Sequence, residues 1–137
     1  MHDHPKTLEP SPFAASLGIE QFDLGEGLAR SVVDVGALPG NRFGVAHGGL
    51  LATLLDVTLA AAVKLAVPDC RMQGTVNLDL HYLRPGTGIL TAEAKALRVG
   101  GAIGVAQGSV VDHDGVTVAV ATGSFKVERP PRPDPGT

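Results

Sequence analysis

The sequence is poor in the residues on which several classes of protein depend. Its one cysteine, Cys70, argues against an internal disulfide and a cysteine-based zinc site. It has no tryptophan, four phenylalanines and one tyrosine, which favours an aliphatic lining for any pocket. Lys and Arg number 11 against 14 Asp and Glu, a net charge of -3, and they form no cluster. This balance argues against a general binder of nucleic-acid phosphates.

The chain also lacks an uninterrupted apolar run that fits a membrane span. The longest stretch, residues 50–67, contains Asp56 and Lys64, and a central Asp costs about 2.5–3.5 kcal/mol in a bilayer. We therefore interpret this stretch as a buried helix. The N-terminus is polar and proline-rich, unlike a signal peptide, and the lone cysteine fits a reducing compartment. We expect a cytoplasmic protein.

Length and proline distribution predict one folded domain between two tails. The chain has 137 residues, of which 44% are hydrophobic, and this is enough for a single core. Seven of the ten prolines lie near the two ends. We therefore predict a flexible tail over residues 1–12, a domain over residues 13–128 and a proline-rich tail over residues 129–137.

Hydrophobic periodicity predicts the order of elements in the first half of the domain. A short helix over residues 11–17 precedes two strands, over residues 19–24 and 28–35, and a loop follows them. From Gly48 the spacing of apolar residues becomes helical, and Pro68 ends that helix.

The second half of the domain alternates with the period of a β-strand. One face of the first strand carries Thr75, and the other face carries Val76, Leu78, Leu80 and Tyr82. Further strands follow, with turns at Gly100-Gly101 and at Asp114-Gly115, and the latter pair suits a type I′ hairpin. The sequence therefore predicts an α+β fold in which an antiparallel sheet packs on one long helix.

The long helix is apolar nearly all round, which is typical of a helix covered on most sides. One curved sheet covers part of such a surface, and the remainder favours pairing with a second subunit about a two-fold axis. We therefore expect a homo-oligomer.

Asp56 is the least expected residue of this helix. Its neighbours one turn away carry no positive charge, and an unpaired carboxylate in a dry site costs several kcal/mol. A catalytic carboxylate explains the position. A thin solvent-exposed stripe of Thr53, Asp56 and Lys64 explains it equally well, so the helical pattern alone leaves both interpretations open.

The residues His47, Gly48 and Gly49 stand where the helix begins. The first N–H groups of a helix have no acceptor within it and the helix dipole favours negative charge there, so the segment suits an oxyanion. Glycines equally permit the turn from loop to helix, with His47 as its cap. Asn41 either donates its amide to the same oxyanion or serves the preceding turn.

Together these residues form a pattern that is more specific than its parts. The pattern N-x-x-G-x-x-H-G-G-x(6)-D begins at Asn41 and ends at Asp56. It resembles that of the hotdog-fold acyl-CoA thioesterases of the phenylacetate-degradation and 4-hydroxybenzoyl-CoA thioesterase type. Leu83-Arg84-Pro85 and residues 121–125 are similar to later segments of that family. The resemblance covers about residues 13–127.

The resemblance implies a hotdog fold, in which a curved antiparallel sheet wraps around one long central helix, and a homodimer or homotetramer with active sites at the subunit interface. It implies an acyl-CoA thioesterase in which Asp56 acts as general base or nucleophile. The Gly48 N–H and the Asn41 side chain would hold the thioester oxygen. His47 would orient the loop or assist, and Thr75 would position the water. Asp56 and the Gly48 N–H would come from different subunits.

The resemblance also implies which residues meet the substrate. Arg84 and Arg98 are candidates for contacts with the CoA phosphates, since such a contact needs only reach and positive charge, and both fit ordinary surface charges at least as well. The turn at Gly101 would border the CoA channel, although the Arg or Lys that relatives often carry after this glycine is absent here. Phe43 is a candidate for lining the acyl pocket, whose acyl group is left open between aryl and medium-chain.

No cofactor is expected beyond the CoA of the substrate. No metal site is expected either, because His2 with His4 and the run of residues 112–114 supply too few converging ligands. The expected partners are an acyl-CoA and further copies of the chain, without nucleic acid or membrane.

Two other functions stay open at this point. One is a hotdog hydratase acting on an enoyl or hydroxyacyl thioester, but such enzymes generally place a His on the helix itself, and this helix has none after His47. The other is a non-hydrolytic acyl-CoA binding or sensing protein, because a fold does not fix a function. A simple ligand holder would not need Asp56.

Overall fold

A computed structural model describes residues 5–38 and 44–131 as two helices, one 3₁₀ turn and seven strands. In chain order these are β1 (Lys6–Leu8), α1 (Pro12–Ser16), β2 (Glu20–Gly25), β3 (Leu28–Asp34), the 3₁₀ turn (Val35–Ala37), α2 (Gly48–Ala66), β4 (Arg71–Tyr82), β5 (Ile89–Gly100), β6 (Ile103–Val111) and β7 (Thr117–Glu128). The predicted short helix, first hairpin and long helix are confirmed.

The seven strands form one antiparallel sheet in the order β1-β2-β3-β5-β6-β7-β4. Helix α2 contacts every strand from β2 to β7, so the sheet curves around it. Strand β4 pairs with β7 on one side, and its other edge carries no strand from the described part of the chain. The predicted hotdog fold, in a single domain, is confirmed.

Leucines of α2 and small residues of the sheet form the core. Leu54 and Leu59 are fully buried. A Cβ added at Gly104 would lie 2.5 Å from Val63, and one at Gly123 would lie 3.0 Å from Leu59. These strand glycines therefore let the helix lie close to the sheet. By length and composition α2 would be able to cross a membrane, but six strands pack on it, as predicted for a buried helix.

Three polar side chains, Gln21, Ser31 and Thr58, are buried where α2 meets β2 and β3. The Thr58 hydroxyl donates to the Leu54 carbonyl and lies 2.7 Å from the Ser31 hydroxyl. The Gln21 Nε2 donates to Ser31 Oγ at 3.2 Å and to the Val57 carbonyl at 3.1 Å. Buried polar groups are costly unless they are paired, so this network favours one orientation of α2 about its own axis. That orientation also sets the direction in which the neighbouring Asp56 points.

The N-terminal segment differs from the predicted flexible tail. Residues 6–8 form β1, which pairs antiparallel with Gln21–Asp23 of β2. Three residues carry too little periodicity to predict a strand, and this one exists because the edge of β2 offers it hydrogen bonds. At the other end, Arg129 donates to the carbonyls of Val99 and Gly101. Residues 132–137 lie outside the described residues.

The turn between β6 and β7 is not the predicted type I′ hairpin. That turn needs positive φ at both central residues, and Gly115 has a φ of +78° whereas Asp114 does not have a positive φ. A longer turn forms because the Asp112 carboxylate accepts hydrogen bonds from the N–H groups of Asp114 and Val116. The predicted turn at Gly101, with a φ of +58°, is confirmed.

Candidate active site

Asp56 and Thr75 meet where α2 faces strand β4. Asp56 is half-buried in the third turn of α2, and its Oδ1 accepts a hydrogen bond of 2.8 Å from the Thr75 hydroxyl. No Lys or Arg within the described residues forms an ion pair with Asp56. The carboxylate is therefore oriented by a neutral donor, which leaves its second oxygen available to a water or a substrate.

A β-bulge in β4 brings Thr75 to the helix. Thr75 pairs with Phe125 and Asn77 pairs with Ser124, so Val76 is an extra residue in the ladder. The bulge reverses the alternation at this point, and Thr75 and Leu78 both face α2, whereas Val76 is 59% exposed. The predicted placement of Thr75 on the opposite face from Leu78 is wrong for this reason. The bulge is what supplies Asp56 with a donor.

His47 caps the start of α2. Its Nδ1 accepts a hydrogen bond of 2.8 Å from the Gly49 N–H, and its carbonyl accepts bonds from Leu50 and Leu51. A neutral imidazole that accepts a hydrogen bond at Nδ1 carries its proton on Nε2. Because His47 is exposed, this Nε2–H is a donor on the surface beside the helix start. The predicted role of His47 as a cap is confirmed.

The Gly48 N–H has no hydrogen-bond acceptor among residues 5–38 and 44–131. The neighbouring N–H groups of the first turn are all bonded to His47, so Gly48 alone presents a donor there. The Tyr82 hydroxyl donates to the Gly48 carbonyl at 2.8 Å and ties the end of β4 to the helix start. The Gly48 N–H is therefore available to an acceptor from outside the described residues.

One chain alone does not bring Asp56 to the Gly48 N–H. Eight residues separate them, about 12 Å along an α-helix, and helical N–H groups point away from the helix body at its N-terminus. An oxygen bound there would lie roughly 15 Å from the Asp56 Cα along the axis. A chain of carboxylate, attacking water and substrate carbonyl spans only about 7 Å. The Asp side chain adds about 3 Å, so this chain is shorter than the separation. Within one chain the two groups therefore do not meet at one substrate carbonyl.

Sequence comparison identifies the family. A sequence model of the Thioesterase superfamily matches residues 43–119. The chain belongs to the Thioesterase superfamily. A protein of Halobacterium salinarum, named provisionally as an esterase, is 43% identical over 94 residues, or 63% of this chain and 62% of that protein. A medium/long-chain acyl-CoA thioesterase of Escherichia coli is 31% identical over 97 residues, or 61% of this chain and 63% of that protein.

The matched segment thus spans a little over three fifths of the length of these relatives. Among solved structures, a protein from Bacillus halodurans crystallised with CoA has a TM-score of 0.73 and 33% identity. That match covers 87% of this chain and 77% of the Bacillus protein. The structural likeness agrees with the superfamily assignment.

The residues expected to meet CoA lie at two ends of the superfamily domain. Arg84 lines a groove of about 350 Å³ together with Gly48 and Tyr82, at the start of α2. Gly101 and Arg98 lie beside the β5–β6 turn, where Gly104 abuts Val63 near the end of α2. The two groups are therefore separated by about 22 Å along the helix. Within one chain, Arg84 and Arg98 do not reach the same phosphate.

The remaining predictions concern Asn41, Phe43 and the metal site. Asn41 and Phe43 lie outside the described residues. Among residues 5–38 and 44–131, no three His, Cys, Asp or Glu side chains lie close enough together to hold a metal ion. His2 and His4 precede the described part of the chain.

Proposed function

We propose that this superfamily member hydrolyses acyl-CoA thioesters to a free acid and CoA. The observation that carries the proposal is the half-buried Asp56 carboxylate, oriented by Thr75 and free of any cationic partner among the described residues. The relative from Escherichia coli is named an acyl-CoA thioesterase, and the Bacillus halodurans structure contains CoA, so both support this substrate class.

The proposed chemistry uses one carboxylate and one oxyanion site. Asp56 removes a proton from a water whose oxygen attacks the thioester carbon, or it attacks that carbon itself and forms an anhydride that water then cleaves. Negative charge develops on the carbonyl oxygen, where the Gly48 N–H and the amide of Asn41 stabilise it, assisted by His47 Nε2–H. The C–S bond breaks when this charge collapses, and the CoA sulfur leaves as a thiolate that takes up the proton released from the water.

We further propose that each active site is shared by two subunits. The separation of Asp56 from the Gly48 N–H along one helix supports it, because the two groups act on one thioester only if they come from different subunits. The outer edge of β4, which pairs with no strand from residues 5–38 and 44–131, also supports it, because such an edge beside Asp56 offers backbone groups to a second copy of the strand. The exposed Val76 and Tyr82 on that strand would be covered in the pair. A homodimer, or a homotetramer made from two such dimers, satisfies the arrangement.

Arg84 is the proposed contact for a CoA phosphate, since it lines the same groove as Gly48. In a shared site, Arg98 and the turn at Gly101 of the second subunit would approach from the other end. This proposal includes two kinds of substrate. The motif suggests an aryl thioester, and the name of the relative from Escherichia coli suggests a medium- or long-chain thioester. We expect the enzyme in the cytoplasm.

The proposal is tested by following release of free thiol from a panel of acyl-CoAs that includes acetyl, butyryl, octanoyl, dodecanoyl, palmitoyl, benzoyl and phenylacetyl thioesters. We expect turnover with at least one aryl or medium-chain member. If every thioester is stable in the presence of the protein while CoA binding is measurable, the protein is a binding module and the proposal is wrong.

Replacing Thr75 by Val isolates the contribution of its hydroxyl. Valine has the same shape but cannot donate to Asp56, and a hydrogen bond to a charged group contributes about 1.5–3 kcal/mol. We expect kcat to fall about tenfold or more with KM nearly unchanged, because the carboxylate loses its orientation rather than its charge. Thr75→Ser, which keeps the hydroxyl, should restore most of kcat. Equal losses in the Val and Ser variants would contradict the role.

A further inference from the structure

A second groove opens beside the start of α2, between this helix and α1. Its floor is formed by Val35, and its walls by Phe13, Leu17, Leu38 and Leu50. We call it the α1–α2 groove. Its volume is about 360 Å³, and within the described part of the chain His47 is the only ionisable residue that lines it. Phe13 is 63% exposed, so a large aromatic side chain stands uncovered at the rim.

Short-range contacts hold the α1 wall of this groove in place. Ala14 is fully buried, and its N–H bonds to the hydroxyl of Ser11 at the N-cap of α1. Burial of Ala14 turns Phe13 and Leu17 toward the groove. The wall is therefore anchored to the core and does not depend on a ligand for its position.

The groove adjoins the start of α2, next to the Gly48 N–H. Gly49 and Thr53 line it and lie two turns and one turn before Asp56 on the same face of α2. On the other side of the helix start lies the groove of Gly48, Tyr82 and Arg84. Two grooves thus diverge from the first turn of α2, one apolar and one carrying a cation.

We propose that the α1–α2 groove binds the acyl chain of the thioester and that its preferred occupant is an unbranched aliphatic chain of medium length. This rests on the proposed thioesterase function. A thioester bound at the Gly48 N–H has two substituents, and the apolar one fits the apolar groove while the polar pantetheine and its phosphates fit the groove of Arg84.

The volume favours a chain over a ring. Taking about 30 Å³ for a water-sized group, 360 Å³ holds about twelve such groups. A benzoyl ring would leave much of this space without contacts, whereas a chain of about ten to twelve carbons would fill it. Burial of each methylene in an apolar groove improves binding about fourfold.

Leu17 is the residue through which the proposal is tested, because it is half-buried at the groove wall and has no role in the proposed catalytic chemistry. Leu17→Trp narrows the groove and Leu17→Ala widens it. Val116→Trp, at an exposed position in the β6–β7 turn, is the matched control for adding an indole. The readout is kcat/KM across straight-chain acyl-CoAs from acetyl to palmitoyl, with benzoyl-CoA for comparison.

In the wild type we expect kcat/KM to rise with chain length up to about dodecanoyl-CoA and to exceed that for benzoyl-CoA. Leu17→Trp should lose about tenfold or more with dodecanoyl-CoA and much less with butyryl-CoA, and Leu17→Ala should shift the optimum to longer chains. Val116→Trp should reproduce the wild-type profile. A purely structural defect would lower all chain lengths together.

Identical chain-length profiles in the wild type and both Leu17 variants, or a preference for benzoyl-CoA, would overturn the groove assignment while leaving the thioesterase proposal intact. Absence of hydrolysis with every thioester would overturn the proposed function itself. The two failures are therefore distinguishable in one set of assays.

Discussion

Asp56→Asn lowers kcat for acyl-CoA hydrolysis by about 10²- to 10⁴-fold, the usual contribution of a positioned base, and this is the largest single effect that we expect. Asparagine matches the shape of aspartate, and its amide oxygen still accepts from Thr75, so the fold and the hydrogen bond survive. The amide cannot accept a proton from water at neutral pH or act as a nucleophile. KM should change little, because the loss falls on the transition state.

Asp79→Asn is the matched control for this substitution. Asp79 is an exposed aspartate on β4, four residues beyond Thr75, and lines the polar outer surface of the sheet away from α2. We expect wild-type kcat and KM for the control, and the same oligomeric state and melting temperature for both variants. Full activity in Asp56→Asn would remove Asp56 from the mechanism and favour the interpretation of Asp56 as a solvent-exposed helical residue.

Gly48→Pro should reduce kcat by about 10²- to 10³-fold, because proline lacks the N–H that is proposed to bind the oxyanion. The substitution suits the site for three reasons. Gly48 is the first residue of α2, where proline is compatible with a helix. His47 before it has φ -61° and ψ 141°, the extended conformation that a following proline requires. The Gly48 carbonyl, which accepts from Tyr82, is retained.

Gly48→Ala separates the loss of the N–H from the addition of a side chain. A Cβ at this position would meet the Tyr82 ring at 3.5 Å, an ordinary contact, and alanine keeps the N–H. We expect its kcat to stay within about tenfold of the wild type, well above that of the proline variant. Comparable losses in the two variants would mean that crowding against Tyr82, and not the missing donor, causes the effect.

The fold was largely predictable because its main elements carry strong local patterns. Apolar spacing from Gly48 onward and the stop at Pro68 define α2, and the turn at Gly101 separates two alternating strands. Strand β1 was missed, because its pairing with β2 depends on an edge that only the folded sheet provides. The predicted turn type at Asp114-Gly115 was wrong, because the carboxylate of Asp112 organises a longer turn.

The candidate site was predictable in composition but not in geometry. The motif singled out Asp56, Gly48 and His47, and the structure gives each a definite set of partners. The contact between Thr75 and Asp56 depends on the bulge at Val76, which strict alternation does not predict. Tyr82, which the alternation places on the apolar face of its strand, supports the start of α2 through its hydroxyl.

The buried network of Gln21, Ser31 and Thr58 had no signal in the sequence either. Each of these residues is common at a protein surface, and only the approach of α2 to β2 and β3 pairs them. The α1–α2 groove is likewise a product of packing, since its walls come from three segments that are distant in the chain. Features that join such segments require the tertiary structure.

The central claim is that one active site takes Asp56 from one subunit and the Gly48 N–H from another, and mixed oligomers test it most directly. Asp56→Asn and Gly48→Pro subunits with different affinity tags are co-expressed, and oligomers that carry both tags are isolated. In a dimer of this kind one site combines both defects and the other has neither, so we predict recovery of about half of the wild-type kcat. Activity no higher than that of the two parent variants would contradict a shared site.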